Sequence, residues 1–312
     1  MSEARVAARI SAIVMTLNEE ANVEFCLRSV RPWCDEVLVV DMMSDDRTIE
    51  VARPYADQIL SHERVAGFDV GRQKGLDAAS GDWLFSIDAD EVATPELAAW
   101  IRAFVDSDPP YELARIPRVN VFLGRRLRST PWWPGKPRLF RKDAIVITGD
   151  LHHGLVPAPG VRVALLPKDS AISIWHFTRQ SLHVLTDKTN QYTTTQARQA
   201  IEAGRGDPKA YQLFGGAIRA LAVYAAKRGY RDGMAGLVYA FDRAYNRYLT
   251  RAKRWDEPRA PKRQARYDAM RAEIISGFPT ADRVDANGGG KARPPVSVRT
   301  AKPAPEATRT DG

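Results

Sequence analysis

The chain has 312 residues, 44% of them hydrophobic, enough for one large domain or a domain with an appendage. Its formal charge of +8 is uneven: residues 1–207 carry 25 Lys and Arg against 28 Asp and Glu, residues 208–285 carry 16 against 8, and residues 286–312 carry 5 against 2. Its two cysteines, Cys26 and Cys34, form no CxxC pair, so neither a disulfide framework nor a cysteine metal site is implied, and a reducing compartment is expected.

ISAIVMT (10–16) predicts a buried strand. NEEANVEFCLRSV (18–30) predicts an amphipathic helix with Asn18 as N-cap. DEVLVVD (35–41) is a second strand, SDDRTIEVARPYA (44–56) a helix, DQILS (57–61) a short third strand and FDVGRQKGLDAA (68–79) a helix. GDWLFSID (81–88) is a fourth strand, and TPELAAWIRAFV (94–105) a helix with Thr94 as cap and Pro95 at its first position. Strands alternating with helices imply a parallel sheet covered on both faces, and its strands then read as continuous apolar runs. Ligands of such sheets bind beyond the carboxyl ends of the strands. Residues 16–19, Asp41 and residues 88–91 are therefore expected to converge on one edge.

After residue 106 the pattern turns to β segments: ARIPRVNVFLGRRLRS, PRLFRKDAIVIT, VRVALL and AISIWHF, with PWWPG between the first two. Helices are expected at 181–204, at about 209–229 and 231–254 with a joint at Gly229, and at about 262–275. The expected organisation is an α/β domain over 1–207, a basic amphipathic helical region over 208–285, and a disordered tail over 286–312, rich in Gly, Pro, Ala and Thr.

FSIDADE (85–91) sets three carboxylates, Asp88, Asp90 and Glu91, directly after a buried strand. Like charges this close need a positive partner if they are buried. Asp88 and Asp90 suit a hard divalent cation, Mg²⁺ or Mn²⁺, with substrate phosphates completing its shell. The alternative is a solvated acidic loop, with Glu91 at the start of the next helix.

The motifs in order resemble the family 2 glycosyltransferases. TLNEE (16–20) is similar to a nucleotide-lining motif at the first strand end, VVDMMSDDRT (39–48) to the second, GRQKG (71–75) to an Arg-containing motif near the diphosphate, and SIDADE to the D-x-D motif. The resemblance covers roughly residues 10–200. It implies a GT-A fold, Rossmann-like, with a mostly parallel mixed sheet flanked by helices, followed here by a C-terminal helical appendage. It implies a nucleotide-diphospho sugar donor bound by Thr16, Leu17, Asn18, Glu19, Asp41, Ser44, Asp46, Arg72, Asp88, Ala89 and Asp90. A metal would sit on Asp90 and Asp88, with His176 as a third ligand or diphosphate contact. Transfer would proceed with inversion. Met42, Met43 and Gln73 depart from the usual pattern without touching the carboxylates.

FLGRRLRSTPWWPGKPRLFR (122–141) and IWHFTRQSLHVLTDKTNQYTT (175–195) look like the branch that includes lipopolysaccharide inner-core and other surface-glycan transferases. That branch commonly places a His-Glu pair after the RLFR strand. Here GDLHHGL (149–155) has Gly154 where the Glu would stand, so Asp150 and His153, with His152 beside them, are the candidate bases. Trp132 and Trp133 are either a sugar-stacking platform or core beneath their loop. Arg125, Arg126 and Arg128 either meet an acceptor phosphate or form a solvated basic strand.

The basic helices, interleaved with Tyr, Phe and Trp, predict peripheral contact with an anionic membrane, against the plainer alternative of a helical subdomain. MSEARVAARI has no apolar segment, and no uncharged apolar run reaches the roughly 18 residues that span a bilayer. A cytoplasmic protein at the inner face of the plasma membrane, with a glycan or lipid-linked acceptor, is expected. No nucleic-acid partner is expected, since no helix-turn-helix or zinc signature accompanies the charge. Two other classes compete: a haloacid-dehalogenase-like phosphatase with Asp88 of DADEV as nucleophile, and a non-catalytic nucleotide- or glycan-binding module.

Overall fold

The computed structural model describes residues 7–64, 68–130, 134–147, 155–178 and 181–276. Asp150, His152, His153, Gly154, Trp132, Trp133 and the 286–312 segment lie outside these residues. Contacts divide the chain into two compact units, Met1–Pro258 and Arg259–Gly312.

The first half runs β1 (Ile10–Thr16), α1 (Val23–Val30), β2 (Glu36–Asp41), α2 (Thr48–Ala52), β3 (Gln58–Ser61), α3 (Phe68–Ala78) and β4 (Trp83–Asp88). Next come β5 (Glu91–Ala93), α4 (Pro95–Asp106), β6 (Leu113–Ile116), β7 (Arg118–Phe122), β8 (Arg125–Arg126) and β9 (Lys136–Phe140). The remaining strands are β10 (Ile145–Ile147), β11 (Leu155–Pro157), β12 (Val163–Leu165) and β13 (Ile174–Thr178). The helices α5 (Leu182–Glu202), α6 (Ala210–Ala226), α7 (Gly233–Asp256) and α8 (Ala260–Ser276) follow.

Seven strands form one mixed sheet in the order β12-β6-β9-β4-β1-β2-β3. β3, β2, β1 and β4 are mutually parallel, and β9 runs antiparallel between β4 and β6. β1 shows why a continuous apolar run is needed: Ala12 and Val14 pack into one core cluster, Ile13 and Met15 into another on the opposite face. Gly75 lets α3 lie close on the sheet, since a Cβ there would stand 2.6 Å from Ile13 Cγ2. α4 begins as its sequence predicts. The Thr94 side chain accepts from Leu97 N–H, Pro95 opens the helix, and Leu97, Ile101 and Val105 are its buried stripe.

Two helix starts differ from expectation. α1 begins at Val23, not near Asn18; Asn18 has a left-handed φ of 53° and belongs to the turn before the helix. α2 covers Thr48–Ala52 rather than 44–56, because Asp46 bonds forward to Thr48 and Pro54 ends the helix.

A second, four-stranded sheet has the order β5-β13-β7-β8, and β10 and β11 form a hairpin. Phe122, Leu127 and Leu185 pack with Val238 and Tyr239, fixing α5 and α7 to the smaller sheet. In the second unit, α8 buries none of its residues.

Candidate active site

The carboxyl ends of β1, β2 and β4 are neighbours in register, Thr16 opposite Asp41 and Met15 opposite Asp88. The loops after β1 and β2 are knitted together. Asn18 N–H donates to Ser44 Oγ at 2.9 Å, and Asn18 Oδ1 accepts from Asp45 N–H at 2.8 Å. Glu19 N–H donates to Thr48 Oγ1 at 2.8 Å. Asp41 is buried, and its two carboxylate oxygens accept from the N–H and hydroxyl of Ser44. Asp46 accepts from Thr48 and from Glu20 N–H, so it holds the turn before α2. Burial opposes the Asp46 charge, but these bonds, that from the Thr48 hydroxyl foremost, keep its carboxyl below the usual range. The Thr16 hydroxyl is buried with no hydrogen-bond partner among the described residues. Leu17 is half-buried beside it.

At the end of β4 the positive partners of the carboxylates are arginines. Asp88 Oδ1 accepts from Arg72, and Oδ2 from Arg138 Nη2 at 2.9 Å. Arg72 also donates to Ser86 Oγ at 2.8 Å. Glu91 does not begin a helix. It lies on β5 with 0% exposure, accepting from Arg138 Nη2 at 2.6 Å, from Arg118 Nη1 at 3.3 Å and from Asp88 N–H at 3.0 Å. Burial pushes the Asp88 carboxyl up, but Arg138 and Arg72 outweigh it and hold it far below the usual range. Asp88 is thus fastened from beneath, and a phosphatase nucleophile would need one of these oxygens free. Ala89 is buried, with its N–H on Met15 O at 2.9 Å.

Asp90 faces elsewhere. Its Oδ2 lies 3.2 Å from His176 Nε2, on β13. The His176 Nδ1 sits 2.9 Å from Asn120 Oδ1, and the Asn120 amide nitrogen donates to Thr130 Oγ1 at 3.2 Å. With that nitrogen engaged, Asn120 offers the ring an acceptor. The ring thus stands between two acceptors, Asn120 Oδ1 at its Nδ1 and Asp90 Oδ2 at its Nε2. Burial opposes the Asp90 charge, and His176 more than offsets it, so the carboxyl lies below its usual range. Lys188 Nζ of α5 reaches Glu19 Oε1 at 3.0 Å, and its charge also acts on Asp90.

The structure therefore brings together Thr16, Leu17, Asn18, Glu19, Asp41, Ser44 and Asp46 along two interlocked loops, and Arg72, Asp88, Ala89, Asp90 and His176 around the β4 end. Sequence reasoning missed Arg138, Arg118, Asn120 and Lys188. An Arg inside the apolar strand KPRLF is a signal for Arg138; Lys188 carries none, since its helix looks ordinary. Among the described residues no group of three or more His, Cys, Asp or Glu is arranged to hold a metal ion. Asp90 and His176 offer one carboxylate oxygen and one imidazole nitrogen.

A family model described as glycosyl transferase family 2 matches residues 11–157. The lipopolysaccharide core biosynthesis glycosyltransferase LpsC of Rhizobium meliloti (strain 1021) is 30% identical over 260 residues, which are 78% of this chain and 91% of that protein. An uncharacterized glycosyltransferase of Rickettsia typhi (strain ATCC VR-144 / Wilmington), RT0209, is 27% identical over 78% of this chain and 86% of that protein. Among solved structures, S. aureus TarS 1-349 is similar at a TM-score of 0.41 and 14% identity, over 81% of this chain and 92% of that chain.

Proposed function

The chain belongs to glycosyl transferase family 2, and from that premise we propose that it moves a sugar, with inversion, from a nucleotide-diphospho sugar to a glycan or lipid-linked acceptor of lipopolysaccharide or another cell-surface glycan. The observation that carries this reading is the Asp90–His176 pair, 3.2 Å apart at the strand-end edge where the donor loops meet.

The pair fits Mg²⁺ or Mn²⁺. Such cations are held by few protein ligands when a substrate diphosphate and water complete the shell. Asp90 and His176 would hold the ion; Asp88, bonded through both oxygens to arginines, would anchor the loop instead. When bound, the cation would supply Lewis-acid neutralisation of the charge on the departing diphosphate. The loops bearing Thr16, Leu17, Asn18, Glu19, Asp41, Ser44 and Asp46 would hold the nucleotide. Arg72, through Asp88, would fix the chain entering Ala89 and Asp90. Asp150 or His153 would take the acceptor proton.

The acceptor is proposed to be met at the inner face of the plasma membrane, with α6 and α7 resting on anionic lipid. Among the described residues no helix is long and apolar enough to cross a membrane. α6 exposes Tyr211, Phe214 and Ile218, and α7 exposes Phe241 and Tyr245, in a basic segment.

Calorimetric titration with a panel of nucleoside diphosphates tests the core of the proposal. Mn²⁺ or Mg²⁺ should tighten binding of at least one, and Asp90→Ala should remove that gain. Absence of metal-dependent binding across the panel would overturn the reading.

A further inference from the structure

Lys188 lies in the second turn of α5, outside the four motifs, yet its ammonium enters the candidate site. Its Nζ is 3.0 Å from Glu19 Oε1, across 169 positions of sequence. The Glu19 side chain is 12% exposed and that of Lys188 35%. The other Glu19 oxygen accepts from Asn22 Nδ2 at 2.6 Å. Lys188 also feels Asp90. Burial pushes its ammonium down, but Glu19 and Asp90 outweigh burial and keep it protonated above the ordinary range. Glu19 is less well served. Burial lifts its carboxyl, Lys188 lowers it, Asp90 lifts it again, and the balance is upward.

A diphosphate arriving beside Asp90 meets two carboxylates, Asp90 and Glu19, that would repel it. Arg72 and Arg138 are buried and bonded to Asp88 and Glu91. Lys188 is a half-exposed cation on the same side as both carboxylates. Its long stem allows the ammonium to change partner without moving the helix.

We propose that Lys188 is a donor-binding residue, whose ammonium leaves Glu19 to bind the diphosphate of the nucleotide sugar and stabilises it as the sugar departs. The assignment rests on the transferase reading. In the step, the anomeric carbon–oxygen bond to the diphosphate breaks, and its electron pair stays on the diphosphate oxygen. The acceptor oxygen forms the new bond, and its proton passes to the base. Lys188 keeps its proton and donates a charge-assisted hydrogen bond that strengthens as charge gathers on the leaving group.

Lys188→Met and Lys188→Arg are titrated with nucleoside diphosphates and with the matching nucleosides, in the presence of Mn²⁺. Lys188→Met should weaken diphosphate binding about 10- to 100-fold and leave nucleoside binding within about twofold. Lys188→Arg should recover most of the loss. Wild-type diphosphate affinity in Lys188→Met overturns the assignment and leaves the transferase reading standing. Equal loss for nucleoside and diphosphate, or no recovery by Arg, marks a structural role and also overturns it. A wild-type protein that binds no nucleoside diphosphate overturns the transferase reading, and this assignment with it.

Discussion

Asp88 and Glu91 share the buried Arg138, Glu91 itself closed to solvent and Asp88 29% exposed, and Arg72 and Arg118 complete the network on either side. Removing one charge from such a group leaves its partners buried and uncompensated. Asp88→Asn should therefore cost about 3–5 kcal/mol at pH 7, read by urea unfolding. The pH dependence follows from the direction of the shift. The folded carboxyl lies far below its unfolded position, so its contribution is complete above the unfolded pKa, about 3.9, and is lost as pH falls below it. The variant should lack that part of the acid limb; an unchanged acid limb would show that Asp88 is not held as described. This network also marks where the sequence was legible and where it was not. The clustering of Asp88, Asp90 and Glu91 called for a positive partner, read from the sequence as a divalent cation; for Asp88 and Glu91 the partners are arginines. The sequence could not show that two classes of carboxylate result: Asp88 and Glu91 turned onto arginines from α3, β9 and β7, and Asp90 turned toward His176. Glu91 was hidden because its three-residue strand, β5, pairs among the described residues with the distant β13 alone.

At the scale of elements, long apolar runs and capped helices were readable because local physics decides them. β1, β2, β4 and α4 each carry their own burial pattern or cap. The starts of α1 and α2 were not readable, because side chains from two loops compete there with helix formation, Asn18 for Asp45 and Asp46 for Thr48. The connection between α6 and α7 is likewise fixed from afar. Asp232, 1% exposed, accepts from Arg128 N–H, Ser129 N–H and the Ser129 hydroxyl, about a hundred residues earlier. Burial raises its carboxyl, and these bonds, the Ser129 hydroxyl first, lower it below the usual range. Asp232 thus pins the helical turn to the segment after β8. Asp232→Ala leaves two backbone N–H groups without their acceptor and should cost about 1.5–3 kcal/mol in chemical denaturation. A change within about 0.5 kcal/mol, the range of ordinary surface substitutions, would show that the two segments are held by packing alone.

For the molecule as a whole, the hairpin of α6 and α7 combines two features that a solvated surface does not need. Phe214 of α6, 63% exposed, and Tyr248 of α7, 37% exposed, stand with ring centroids 6.4 Å apart, with Tyr211, Ile218, Phe241 and Tyr245 exposed on the same two helices. Arg243, Arg247 and Arg251 follow one another every four residues on α7, and Arg219 of α6 joins them. Burial depresses the Arg247 pKa most, and the like charges of Arg243, Arg219 and Arg251 add to it. Repulsion at this spacing costs a few tenths of a kcal/mol per pair, and an anionic surface relieves it where a neutral one does not. Contact with lipid should therefore need both parts, apolar insertion and negative headgroups. The full chain should float with vesicles containing phosphatidylglycerol, bind pure phosphatidylcholine weakly, and release as salt screens the charge. Phe214→Asp with Ile218→Asp removes exposed apolar area without touching the core, so it should abolish flotation at unchanged thermal stability. Equal flotation with neutral and anionic vesicles would exclude the electrostatic half of this account, and undiminished flotation of the double variant would exclude the other.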